Sequence, residues 1–206
     1  MKRLQSSFTN MVVALVAVAM TSGALLSIVN HVTEGPIARQ EEIKLTNGIN
    51  SVMGSSELTV TSEEEITKDV GGKNASFIIH KVADAEGNFM GAAVESSSLG
   101  FNGNIKVLVG FDAQGKVLGY TILEASETPG LGAKASTWFQ SGAKGDIIGR
   151  QLSADNPLTV SKDGGDVDAI TASTITSRAF LNAINQAYGA YSDQDVDGMT
   201  GASQQY

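Results

Sequence analysis

The chain has no cysteine. That excludes disulfides, thiol nucleophiles, thiolate-held zinc and iron–sulfur clusters ligated by this chain. Histidine is scarce too: only His31 and His80 occur. His31 lies at the end of an apolar segment, so a histidine-rich metal site is not expected and no metal ligand is assigned. Any redox chemistry must therefore come from an organic cofactor, because the side chains cannot supply it. Basic residues are outnumbered by acidic ones, and the net charge is −8 at pH 7. Without Lys2 and Arg3 the remainder is more acidic still. Such a balance argues against nucleic acid and anionic lipid surfaces as partners. No Asp, Glu, Lys or Arg occurs from Leu4 to Thr33. What is present, 42% hydrophobic and 17% charged among 206 residues, suits one folded domain plus an anchor and is too apolar for a disordered chain.

Within the uncharged stretch, Met11 to Val29 reads MVVALVAVAMTSGALLSIV, long enough to cross a bilayer as a helix. The alternative is a cleaved signal peptide with Ser22-Gly23-Ala24 as its processing site. The apolar run continues past Ala24 through Leu25, Leu26, Ile28 and Val29, which favours a retained anchor. Lys2 and Arg3 precede the span, so the N-terminus is expected in the cytoplasm and the bulk of the chain outside. Residues 1–33 then form the tip and anchor, 34–75 a juxtamembrane stalk and lead-in, 76–192 the main domain and 193–206 a polar, poorly ordered tail. Pro36 suits the first turn of a stalk helix. Ile37, Leu45, Ile49, Val52 and Met53 follow at loosely helical spacing, with Glu41, Glu42 and Lys44 on a solvated side. Residues 55–75 carry no readable function.

From Phe77 the pattern changes. Phe77–Val82, Phe89–Glu95, Ile105–Phe111 and Val117–Leu123 are short apolar runs separated by Glu86-Gly87-Asn88, Asn102-Gly103-Asn104 and Ala113-Gln114-Gly115. They predict antiparallel strands joined by hairpins, with Gly115 at the left-handed position of its turn. A short helix is expected near Ala135–Phe139, with Trp138 and Phe139 in the core. A longer helix is expected over Thr174–Tyr191, where Ile175, Phe180, Ala183, Ile184, Ala187, Tyr188 and Tyr191 give an apolar face. Strands followed by segregated helices predict an α+β domain.

Two segments stand out chemically. In Ser126-Glu127-Thr128-Pro129-Gly130-Leu131-Gly132-Ala133-Lys134, Pro129-Gly130 forces a turn and Gly132 lets the backbone approach something closely; an ordinary strand-exit loop has the same composition. In Asp168 to Ser177, five hydroxyl residues (Thr171, Ser173, Thr174, Thr176 and Ser177) cluster at the start of the last helix. N-capping needs only one of them. A helix N-terminus also favours phosphate, and Thr176, Ser177 and Arg178 are candidate contacts for one.

Three motifs together resemble the G-type subunits of the Rnf ion-translocating electron-transport complex and the related C-type subunits of the sodium-translocating NADH:quinone reductase. These are Gly100-Phe101-Asn102-Gly103-Asn104-Ile105, Glu127-Thr128-Pro129-Gly130-Leu131-Gly132, and Asp168 to Thr174. The last is similar to the family's flavinylation signal, an Asp followed after two residues by Ser/Thr-Gly-Ala-Thr. Here Thr171 keeps the hydroxyl, and Ala172-Ser173 stand where the family has Gly-Ala. The resemblance implies an FMN-binding domain over 76–192, with FMN joined through its phosphate to Thr174 by a separate flavin transferase that reads Asp168, Thr171, Ala172 and Ser173. It also implies that the flavin ring lies against the loop of Glu127, Thr128, Pro129, Gly130, Leu131 and Gly132, with Lys134 able to stabilise a reduced, anionic ring and Glu127 bracing the loop. The expected role is electron transfer within a ferredoxin:NAD oxidoreductase of the bacterial inner membrane. Its partners would be a second flavinylated subunit and multi-span subunits, and no substrate turnover of its own is expected. Rival readings are the quinone reductase component, a free-standing flavinylated carrier, and an anchored scaffold without flavin.

Overall fold

The computed structural model describes residues 8–55, 58–153 and 156–193. Lys2, Arg3 and the expected tail beyond Asp193 lie outside the described residues. The chain divides into two units, Met1–Thr46 and Asn47–Tyr206.

The first unit is helical. Helix α1 runs over Phe8–Met53, and its apolar side chains from Met11 to Val29 are exposed. The hydroxyls of Thr21 and Thr33 donate to the carbonyls of Ala17 and Val29, each at 2.8 Å. This satisfies both polar groups within the helix, as a lipid environment requires. Among the described residues, α1 is the one helix long and apolar enough to cross a membrane. Pro36, expected to start a separate helix, lies inside α1 instead. It lacks the N–H that would reach back to residue 32, but Arg39, Gln40, Glu41, Glu42 and Lys44 are good helix formers and carry the helix on.

The second unit is built on five strands, β1 Thr59–Val70, β2 Lys73–Ala83, β3 Phe89–Leu99, β4 Asn104–Asp112 and β5 Val117–Ala125. They form one antiparallel sheet in sequential order. β2 to β5 follow the four apolar runs and extend past them, because backbone pairing continues through polar residues such as Ser97↔Lys106 and Ser98↔Ile105. In the β4–β5 hairpin, Asp112 Oδ1 accepts from the amides of Gln114 and Lys116, each at 2.9 Å, and Gly115 takes φ 83°. β1 occupies the stretch from which the sequence pattern predicts no element. It is an edge strand, exposed along most of its length, and Glu63, Glu64 and Glu65 interrupt any apolar alternation. Charge on an edge discourages pairing with another sheet. Lys68 Nζ ties β1 to the C-terminal end of the last helix, bonding Gly189 O at 3.2 Å and Asp193 at 3.2 Å, where the helix dipole favours a cation.

Helix α2, Ala135–Trp138, and helix α3, Thr174–Tyr191, follow the strands, giving an α+β domain. The cross-strand pairs Val94↔Val109 and Ala92↔Phe111 join Phe180, Ala183, Ile184 and Ala187 of α3 in one buried cluster. Phe139 stacks on Phe180 at 4.5 Å between ring centroids, and Tyr120 meets the same ring edge-on at 4.7 Å. The Tyr120 hydroxyl donates to Ala135 O at 2.6 Å and accepts from Phe139 N at 3.3 Å. Burial pushes this phenol well above its ordinary pKa, so it stays a neutral bridge between β5 and α2.

The opposite sheet face receives Ile49, Val52 and Met53, the end of α1. Gly110 and Gly119 are cross-strand partners. A Cβ on either would meet Val52 O, at 2.5 and 2.8 Å respectively, so the helix backbone reaches the sheet only because both lack one. Beside this contact a polar ladder crosses four strands. Glu63 lies 3.5 Å from His80 Nδ1, His80 Nε2 lies 3.1 Å from Glu95, and Lys106 Nζ lies 2.7 Å from Glu95. Burial pushes the Glu95 carboxyl up, but hydrogen bonds from His80 and Lys106, with the Lys106 charge, outweigh it and hold the group below its ordinary value. A depressed carboxyl contributes stability above the unfolded-state value of about 4.3, and that contribution disappears as pH falls through the folded-state value. Glu95→Gln should therefore flatten the acid limb of the stability profile measured by denaturant unfolding between about pH 3 and 5. Parallel profiles for the two proteins would show that the ladder contributes nothing.

Candidate functional site

Three segments converge at one end of the sheet: the β3–β4 loop at Gly100–Gly103, the stretch after β5 from Ser126 to Lys134, and the start of α3. Between them lies a cleft of about 380 Å³, lined by Phe101, Glu127, Thr128, Leu131, Gly132 and the run from Ala172 to Thr176. That volume is within the range of small-molecule sites.

The walls are held by Glu127, which is only 8% exposed. Its Oε1 accepts from the amides of Phe101 at 2.8 Å and Asn102 at 3.3 Å, and its Oε2 accepts from the Thr176 hydroxyl at 2.8 Å. One carboxylate thus joins all three segments. A Cβ on Gly132 would meet Glu127 Oε2 at 2.5 Å and Thr176 Oγ1 at 2.8 Å, and a Cβ on Gly100 would collide with Glu127 Oε1. The close approach that Gly132 allows is therefore to this carboxylate and to Thr176. Beyond it, Leu131 N and Ala133 N both donate to Thr128 O, at 3.1 and 3.2 Å. Pro129 and Gly130 form the exposed tip, with Gly130 at φ 76°.

The start of α3 is shaped by a turn. Ser173 N donates to Ile170 O at 3.0 Å, leaving Thr171 and Ala172 at its exposed corner. Ala172 takes φ 61°, a left-handed conformation that favours glycine and costs other L-residues roughly 1–2 kcal/mol. The pattern that this segment resembles has glycine at this position, the residue that adopts such an angle without strain. Ser173 is the N-cap residue but makes no side-chain capping bond. Ser177 Oγ is fully buried, accepting from Ile170 N at 2.9 Å and donating to Ser173 O at 2.9 Å. Upstream, Trp138 Nε1 donates to the backbone oxygen of Asp168 at 2.8 Å, and the Asp168 side chain is exposed.

Not every predicted residue reaches the cleft. Thr128, Leu131, Gly132, Ala172, Ser173 and Thr174 line it, whereas Pro129, Gly130, Lys134, Asp168 and Thr171 do not. Thr176 lies in the wall with its hydroxyl given to Glu127, and Ser177 is internal. Arg178 holds Asp163 in a two-pronged pair, Nε and Nη2 each donating at 2.7 Å. That hydrogen bond, opposed by burial and aided by the charges of Arg178 and Lys162, holds Asp163 below the usual carboxylate range. The cation beside Thr174 is instead Lys162, whose Nζ donates to Thr174 Oγ1 at 3.1 Å. No sequence motif marks Lys162, which lies twelve residues upstream of Thr174 in a polar turn.

Glu127→Gln removes charge from a group with three hydrogen bonds and should cost about 2 kcal/mol, lowering Tm by roughly 6 °C. An unchanged Tm in thermal unfolding would mean that the three segments are held by other contacts. Ala172→Gly should act in the opposite direction. It relieves the left-handed strain, gaining about 0.5–1 kcal/mol net of glycine's greater entropy loss, which appears as a Tm about 2 °C higher; a lower Tm would show that the alanine is unstrained.

The FMN-binding domain family matches residues 100–189, a span that contains every residue lining the cleft. The chain is 34% identical to the G-type subunit of the ion-translocating oxidoreductase complex of Vibrio parahaemolyticus, over 87% of this chain and 86% of the relative. It is 35% identical to the corresponding protein of Shewanella baltica, over 82% of each. Its fold is similar to the crystal structure of Shewanella oneidensis NqrC, with a TM-score of 0.53 at 16% identity, covering 74% of this chain and 94% of that one; this is a likeness of fold alone. Identity at this level across most of both chains shows that the protein belongs to the family of G-type subunits of ion-translocating oxidoreductase complexes.

Proposed function

We propose that the protein is a membrane-anchored electron-transfer subunit that carries FMN esterified through its phosphate to Thr174, within an Rnf-type complex that links ferredoxin and NAD. The observation that carries this reading is the position of Thr174. It is the first residue of α3 and lines the cleft together with Thr128, Leu131 and Gly132 of the loop after β5.

The residues present fit the group. At the Thr174 end, the first N–H groups of α3 favour an anion, and no side-chain cap from Ser173 competes for them. Phe101 and Leu131, both lining the cleft, are 68% and 41% exposed, so they offer apolar surface against which a flavin ring could lie. When bound, FMN supplies one- or two-electron transfer, which no side chain here can do. The chain's own part is positional. Thr174 tethers, the α3 terminus offsets phosphate charge, Phe101, Leu131 and Ile175 keep water from the ring, and Glu127 fixes the spacing of the walls. No separate substrate is turned over.

In this reading α1 anchors the protein in the inner membrane, with Lys2 and Arg3 on the cytoplasmic side and the sheet domain outside. A flavin transferase matures it, and electrons pass between a second flavinylated subunit and multi-span subunits. Coexpression with a flavin transferase should give a protein band that fluoresces on a denaturing gel and gains the mass of FMN less one water. Thr174→Ala should abolish both signals. A dark wild-type band beside a fluorescent positive control would remove the covalent reading and leave the anchored scaffold.

A further inference from the structure

We propose that Lys162 is the attachment-site cation: it holds the Thr174 hydroxyl for flavin transfer and afterwards binds the resulting phosphodiester. This rests on the reading of Thr174 as the attachment residue and extends the site beyond the Asp168–Thr174 motif.

Lys162 belongs to a short 3-10 turn, Ser161–Asp163, and the turn is tied down on both sides. Ser161 N donates to Val167 O at 2.8 Å and Gly165 N to Val160 O at 3.2 Å, closing the loop on itself. A Cβ on Gly165 would collide with the Thr159 carbonyl. Asp163, the next residue, is clamped to Arg178 of α3 by two bonds of 2.7 Å. The turn is therefore held against α3, and the position of Lys162 beside Thr174 follows from the fold rather than from the reach of a long side chain alone.

The charge arrangement points the same way. A helix N-terminus favours anions and disfavours cations, yet Lys162 reaches the first residue of α3. Asp163 is paired with Arg178 and Asp166 with Arg150. The Lys162 charge adds to that of Arg178 in holding Asp163 below the usual carboxylate range, while its Nζ hydrogen bond goes to Thr174 Oγ1. A cation held at the positive end of a helix, in contact with the hydroxyl of a residue that lines the cleft, is suited to an anion bound at that hydroxyl. Arg178, the cation nearest in sequence, already holds Asp163.

The chemistry uses this contact twice. In transfer from a flavin adenine dinucleotide, Thr174 Oγ1 forms a bond to the phosphorus that bears the flavin. The bond from that phosphorus to the bridging oxygen breaks, AMP leaves with that oxygen, and the hydroxyl proton passes to a base on the transferase or to solvent. No electrons are gained or lost. An ammonium donating to Oγ1 eases loss of the hydroxyl proton to that base, and the same charge faces the non-bridging oxygens of the incoming phosphate and then of the phosphodiester.

The test is the rate of flavin incorporation into the full chain, followed by mass spectrometry with purified transferase and flavin adenine dinucleotide. Wild type is compared with Lys162→Gln, Lys162→Met, Lys162→Arg and Thr174→Ala. The Gln and Met variants should incorporate flavin at least about tenfold more slowly, the scale of one charge-assisted hydrogen bond. The Arg variant should stay within about threefold of wild type, and the unloaded proteins should melt together because the lysine is exposed. Wild-type kinetics in the Gln and Met variants, or an Arg variant as slow as they are, would overturn the assignment, because neither fits a need for charge at Oγ1. Failure of the underlying reading looks different: an unlabelled wild type, or label that persists in Thr174→Ala.

Discussion

A carboxylate enclosed by protein must be met by hydrogen-bond donors or it destabilises the fold. Glu127 meets that requirement with two backbone amides from the β3–β4 loop and one hydroxyl from α3. These donors lie 25, 26 and 49 residues away in sequence. They can reach one side chain only if the sheet, the loop after β5 and the last helix all occupy their final places. The cleft is the space left between those three segments. Its dimensions therefore depend on satisfying one buried acid, and Gly100 and Gly132 are the two positions where an added methyl would displace that acid.

The same requirement for partners explains the run of hydroxyl residues at the start of α3. Capping alone leaves most of them without a purpose. In the folded chain three of the five have contacts of their own. Ser177 stitches the preceding turn to the helix, Thr176 meets Glu127, and Thr174 meets Lys162. Ser173, the residue at the N-cap position, makes no capping bond with its side chain. The partners of Thr174 and Thr176 are remote from the helix end, so composition could signal the surplus of hydroxyls but not its use.

Legibility in the sequence followed the range of the interactions. β2 to β5, α2 and α3 were readable because alternation and the 3.6-residue period are local consequences of a buried face. β1 was not, because an edge strand solvated on much of its surface needs little apolar alternation, and Glu63 to Glu65 erase what remains. The continuity of α1 through Pro36 was hidden by a residue that usually marks a helix start. At the site, the loop and the helix terminus were legible through their glycines, hydroxyls and family pattern. Lys162 was not. It sits in a polar turn typical of any surface loop, and its meaning arises only when the Asp163–Arg178 pair folds that turn against α3. The left-handed φ of Ala172 was likewise invisible, since alanine announces no turn.

In the proposed function, the openness of the cleft bears on why a covalent link would suit this site. Affinity for a free flavin would have to come from area removed from water, at about 25 cal/mol per Å², and the apolar side chains at the rim remain largely exposed. A shallow cleft of this kind gives up burial energy that a deep pocket would retain. Tethering the phosphate makes ring binding intramolecular, so modest contacts suffice to hold it, by the logic of effective concentration. What the shallow geometry offers in return is an accessible ring edge, which a carrier needs if it exchanges electrons with protein neighbours rather than with a diffusing substrate. In the proposed function, therefore, the exposed Phe101 and Leu131, the absent side-chain cap on α3 and the cation at Thr174 are parts of one arrangement: strong attachment at the phosphate, weak enclosure at the ring.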